Sequence, residues 1–119
     1  MKRDMELIRE LMLEVESQDR DFNYQATRDK GYNDSQINYH LELLIEAELV
    51  EGQIIRTYGG SSYMIKKLSW SGHEFLDSAR NESVWKDTMK TVKEKGGSVA
   101  VGILTQLLTS AAKQQFGLG

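Results

Sequence analysis

The chain has 119 residues, 39% of them hydrophobic and 28% charged, with a formal net charge of −3 and no cysteine. That size suits one ordinary domain with a single core, and the balance is that of a folded chain, not a disordered one. The lack of cysteine excludes a disulfide framework and a thiolate zinc site and fits a reducing cytoplasm, while the acidic balance counts against a generic nucleic-acid binder.

No apolar run follows the basic pair Lys2–Arg3, so no secretory signal is expected. Met5, Ile8, Leu11, Met12 and Val15 recur at three- and four-residue spacing and predict a first helix over Asp4–Ser17, with Asp4 as its cap. Residues 18–33 are polar. Phe22 and Tyr24 suggest a short edge strand there, and Gln25–Lys30 one or two helical turns ended by Gly31. Asn33, Asp34 and Ser35 offer N-caps for a second long helix reaching Glu48, with Ile37, Leu41, Leu44, Ile45 and Leu49 on its apolar stripe.

Two β-prone runs, Val50–Tyr58 and Tyr63–Leu68, flank Gly59–Gly60 and predict a hairpin. Ser71 with Glu74 forms a capping-box pattern for a third helix that turns Phe75, Leu76 and Ala79 to the core. A break near Asn81 precedes another helix marked by Val84, Trp85, Met89 and Val92. Both Trp70 and Trp85 are expected in the core, since such rings dominate small cores. After Gly96–Gly97 comes a last apolar stripe, Val99, Ile103, Leu104, Leu107, Leu108 and Ala111 among it. Val99–Ala112 falls short of the roughly 20 apolar residues of a membrane span, and the stripe lacks the Lys/Arg-rich polar face of a helix that lies on a membrane surface, so no membrane association is expected.

The predicted fold is therefore mainly α with a β-hairpin, a winged helix-turn-helix over residues 1–80 with a C-terminal helical extension over 81–119. The passage Tyr39–Gly52 resembles that of many bacterial winged-helix regulators, and Leu68–Leu76 resembles their turn after the wing. With Met1–Glu16, these segments resemble a family of short bacterial and phage proteins known as a domain of unknown function. The resemblance covers roughly residues 1–85 and is most specific from Leu68 to Trp85. It implies a winged-helix-like fold in a phage or prophage setting and brings no activity, ligand or catalytic residue with it.

Function then divides into two readings. In the first, the chain is a transcription regulator that binds double-stranded DNA. Ser35, Gln36, Asn38 and Tyr39 face base edges, while Arg56, Lys66 and Lys67 on the wing, with Arg28 and Lys30, hold phosphates. Against it, no Lys or Arg lies between Asp34 and Glu51, and five carboxylates do. In the second, the same scaffold binds a host or phage protein. The C-terminal stripe is expected either to join two copies into a homodimer or to fold back on its own chain. His40 and His73 have no neighbouring ligand or nucleophile at useful spacing, so neither a metal, a cofactor nor an enzymatic role is expected.

Overall fold

A computed structural model describes residues 1–18, 22–94, 104 and 106–108. The elements run α1 (Met5–Ser17), α2 (Gln25–Asp29), α3 (Asp34–Glu46), β1 (Val50–Thr57), β2 (Gly60–Leu68), α4 (Trp70–Ala79) and α5 (Glu82–Glu94). The chain is a mixed α and β protein, and the order from α1 to α4 is winged-helix-like. Two compact units, Met1–His73 and Glu74–Gly119, divide it within α4. Among the described residues no helix is long and apolar enough to cross a membrane.

Asp4 caps α1, its carboxylate accepting the amides of Glu6 at 2.9 Å and Leu7 at 3.2 Å. Leu7, Ile8, Leu11, Met12 and Val15 turn inward, and Ile37, Leu41 and Leu44 of α3 are buried with them. Glu10 and Glu14, placed on the margins by their spacing, are buried as well. Glu14 earns its position through Thr27: one carboxylate oxygen accepts both the Thr27 amide and hydroxyl, each at 2.7 Å. This ties α2 to α1. The other oxygen of Glu14 is buried without a hydrogen-bond partner.

Phe22 and Tyr24 form no strand. Tyr24 takes a left-handed conformation at the head of α2 and its ring stacks with Phe22, so the alternation marks an aromatic pair in a loop. Burial, and next the charge of Glu14, push the Tyr24 hydroxyl up to about 12.

The hairpin pairs β1 and β2 antiparallel around Tyr58 and Gly59. The register shifts between Glu51 and Gly52, because Glu51 faces Lys67 while Gly52 faces Ile65. Lys66 is thus the extra residue of a bulge. Gly52 permits it, since a Cβ there would lie 2.5 Å from the Met64 carbonyl oxygen. One face of the hairpin carries Ile54, Tyr63 and Ile65, each half-buried; the other carries exposed Gln53, Ile55, Ser62 and Met64.

α4 begins at Trp70, one residue before the expected Ser71 cap. Ser69 supplies the cap instead, its hydroxyl oxygen accepting the Gly72 amide at 3.0 Å. In the second unit Phe75 and Trp85 meet edge to face, 6.4 Å between ring centres, and Asn81 caps α5 through the Val84 amide. Trp85 is 1% exposed, as a core residue should be, but Trp70 is 80% exposed. The core expectation for Trp70 is overturned: as the first residue of α4, it lies outside the stripe of Phe75, Leu76 and Ala79.

Candidate nucleic-acid interface

The outer face of α3 is set by its inner one. Ile37, His40, Leu41 and Leu44 are buried, so Ser35 and Asn38 come to the surface with Gln36 and Tyr39 half-buried beside them. Asn33 and Gln36 form a reciprocal capping box. The Asn33 side chain accepts the Gln36 amide, and the Gln36 side-chain oxygen accepts the Asn33 amide, both at 2.9 Å. That oxygen is therefore spent on the backbone, which leaves Gln36 its amide nitrogen for any outside partner.

His40 fixes this end of α3 against α1. Its Nε2 accepts the Asp4 amide at 2.8 Å, and its Nδ1 lies 2.7 Å from the Gln36 carbonyl oxygen, to which it donates in the matching neutral tautomer. Sequence spacing gave this histidine no metal or catalytic role and set it beside the apolar stripe, to pack or to hydrogen-bond there. With both ring nitrogens engaged and the ring 1% exposed, it is a structural link from the cap of one helix to the first turn of the other. Tyr32 joins the same end. Burial first, then the charges of Asp4 and Glu6 and a hydrogen bond to Asp4, push its hydroxyl up to about 12.

The cations expected to hold phosphate are mostly paired. Arg28 Nε donates to Asp34 at 2.8 Å, and its guanidinium also donates to the Asn23 carbonyl. Lys30 lies 2.6 Å from Glu10. On the wing, Arg56 donates to Glu42 at 2.7 Å and to Ser61 at 3.2 Å, fastening the hairpin to the middle of α3. Lys67 stands 3.8 Å from Glu51. Lys66 has no ion pair among the described residues. The pairs cut both ways: they occupy cations, and they neutralise Asp34 and Glu42, two of the carboxylates that would repel DNA. Each exposed pair is worth about 0–1 kcal/mol, so a phosphate can displace its carboxylate at small cost.

Glu46 closes α3, and Glu48 and Glu51 follow it in the turn and in β1, so charge is uneven along this stretch of chain. Among the described residues no cluster of histidine and carboxylate side chains has the makings of a metal site. Of the C-terminal stripe, Leu104 and Leu108 are buried within the single chain and Leu107 is half-buried, while Val99, Ile103 and Ala111 lie outside the described residues. Leu104 and Leu108 thus offer little area to a second copy.

A protein of Haemophilus influenzae described as "Uncharacterized protein" is 31% identical over 116 residues, covering 96% of this chain and 98% of that one. No solved structure matches. The family model described as "Hypothetical protein (DUF2513)" matches residues 2–98, and the chain belongs to that family.

Proposed function

We propose that the protein is a small winged-helix DNA-binding protein, a transcription regulator of phage or prophage type. The observation that carries this reading is the N-terminal half of α3. It presents Ser35 and Asn38 outward with Tyr39 half-buried beside them, where Arg28 cancels Asp34, and Arg56 cancels Glu42 in the middle of the helix. In this reading that half enters the major groove. Asn38 suits an adenine edge, Ser35 a base or a phosphate, and the Gln36 amide nitrogen an acceptor. Lys66, and Arg56 once it exchanges Glu42 for phosphate, hold the backbone from the wing. A dimer would supply the second half-site. The chain has no catalytic role in this proposal, and it acts in the cytoplasm.

With nine Lys and Arg against thirteen Asp and Glu in Met1–His73, a net of −4, the phosphate contribution is small. The test is fluorescence anisotropy with mixed duplex DNA at about 50 and 200 mM salt, with light scattering for mass. Three phosphate contacts would weaken binding about fortyfold over that range. Absence of binding at the lower salt removes the reading.

A second reading, a protein-interaction module on the same scaffold, is favoured by one specific observation: the 80% exposure of Trp70. The two are compatible, because Trp70 belongs to the other end of the α3 region.

A further inference from the structure

The residues that follow α3 and those that follow β2 are bound to one another as a single corner. The Ser69 hydroxyl donates to the Glu48 carbonyl at 2.6 Å, and the Ser69 amide donates to the Leu49 carbonyl at 3.0 Å. Gly72 lies so close that a Cβ would stand 2.0 Å from the Leu49 carbonyl oxygen. Trp70 is therefore held next to the end of α3 by backbone contacts on both sides of it, and its ring remains 80% exposed. A tryptophan can bury about 150–250 Å² against a partner.

Carboxylates outnumber cations at this corner: Glu46, Glu48 and Glu51 stand against Lys66 and Lys67 at the base of the hairpin. Glu46 and Glu48 are exposed and form no ion pair among the described residues, while Glu51 is shared with Lys67 at 3.8 Å. The surface thus combines a large π face with carboxylates. The first attracts a guanidinium or ammonium through its quadrupole, and the second does so by charge.

We propose that the Trp70 corner is a docking surface for a basic segment of another protein, one that carries arginine or lysine beside an apolar side chain. Trp70 anchors it, and Glu46 and Glu48 pair with its cations. Charge decides the class of partner. Phosphates and anionic lipid are repelled by the carboxylates. A second copy is a poor occupant, because its Met1–His73 unit carries a net of −4 and most of its candidate cations are already held by its own carboxylates. Lys66 lies at this end of the hairpin, so the surface adjoins the proposed DNA-reading face, but Trp70, Glu46 and Glu48 take no part in that reading.

The test titrates the full chain with a synthetic arginine–leucine peptide, and with a glutamate–leucine peptide of equal length, following tryptophan emission. Trp85 is buried, so a change on binding reports chiefly Trp70. The expected results are binding of the basic peptide only, about tenfold weaker binding by Trp70→Ala in a competition readout, and partial recovery by Trp70→Phe. Glu48→Gln is expected to weaken it about threefold and to flatten its salt dependence. Circular dichroism of Trp70→Ala should match the parent, because the ring is exposed. Equal binding of both peptides, or undiminished binding by Trp70→Ala, overturns the proposal. So does a dimer that Trp70→Ala dissolves, since that assigns the face to a second copy.

Discussion

The two ends of α3 are built in opposite ways. At the N-terminal end, side chains do the joining: Asn33 and Gln36 cap each other, and His40 reaches across to the Asp4 amide. Arg28 neutralises Asp34 there. At the C-terminal end backbone carbonyls take the bonds, those of Glu48 and Leu49 accepting the Ser69 hydroxyl and amide beside the close approach of Gly72, and Glu46 and Glu48 form no ion pair among the described residues. One helix thereby offers a nearly neutral polar surface at one end and an acidic aromatic one at the other. In the two proposals phosphate goes to the first and cationic side chains to the second.

The sharpest way to break the C-terminal end is Gly72→Ala. The new methyl group meets a backbone oxygen at 2.0 Å, and a carbonyl within a stapled corner has nowhere to move. The expected loss is about 4 kcal/mol, beyond the ordinary range for overpacking, and urea denaturation reads it. A loss below about 1 kcal/mol would mean that the corner yields easily and cannot hold Trp70 in place.

The N-terminal end is tested by His40→Ala. It removes a fully buried ring and leaves the Asp4 amide without its acceptor. The orphaned donor is part-buried and costs about 1 kcal/mol, and the cavity left by the ring adds about 2 kcal/mol, so about 3 kcal/mol in total is expected. The same variant should weaken DNA binding more than peptide binding at Trp70, because it loosens only the first turn of α3. Equal effects on both would show that the ends are not independent.

Much of this was legible in the sequence. Asp4, the stripe of Ile37, Leu41 and Leu44, the hairpin (its turn one residue earlier than the Gly59–Gly60 pair, at Tyr58–Gly59) and the break at Asn81 all act through local spacing, and local spacing is what a sequence displays. The candidate site was less legible. Arg56 and Glu42 are 14 residues apart and meet only because the hairpin folds back on α3. Lys30 and Glu10 likewise come from different elements. A count of charges treats such groups as free when tertiary structure has paired them. Trp70 and Trp85 show the same limit, for size predicts a large burial area but not the direction in which a ring points. Phe22 and Tyr24 imitate strand alternation because two residues are too few to reveal a period.

Alkaline titration separates the ends in another way. Tyr32 on Asp4 and Tyr24 beside Glu14 have hydroxyls raised from 10.0 to about 12 in the folded chain. Both support the region around α1 and α2, not the Trp70 corner. A folded value above the unfolded one contributes stability that is complete below about 10 and is lost as pH rises to about 12. Unfolding monitored between those limits should be less steep in pH for Tyr24→Phe and Tyr32→Phe. Unchanged steepness in both would assign the alkaline limit to other groups.

The smallest effect on stability has the largest bearing on function. Arg56 and Glu42 form an exposed pair worth about 0–1 kcal/mol, so Glu42→Gln should hardly change unfolding. If the N-terminal half of α3 lies in the groove, however, the substitution removes a repelling charge and releases a guanidinium toward phosphate. Affinity should rise, and the slope of log affinity against log salt should steepen by about 0.9, the increment for one added phosphate contact. Arg56→Gln in the parent should change that slope little, since Arg56 is held by Glu42, whereas in the Glu42→Gln background it should reverse the gain. Peptide binding at Trp70 should respond to neither substitution. If Glu42→Gln leaves DNA affinity and salt slope unchanged, the middle of α3 does not approach phosphate, and the acidic surface at its far end becomes the chief binding face of the molecule.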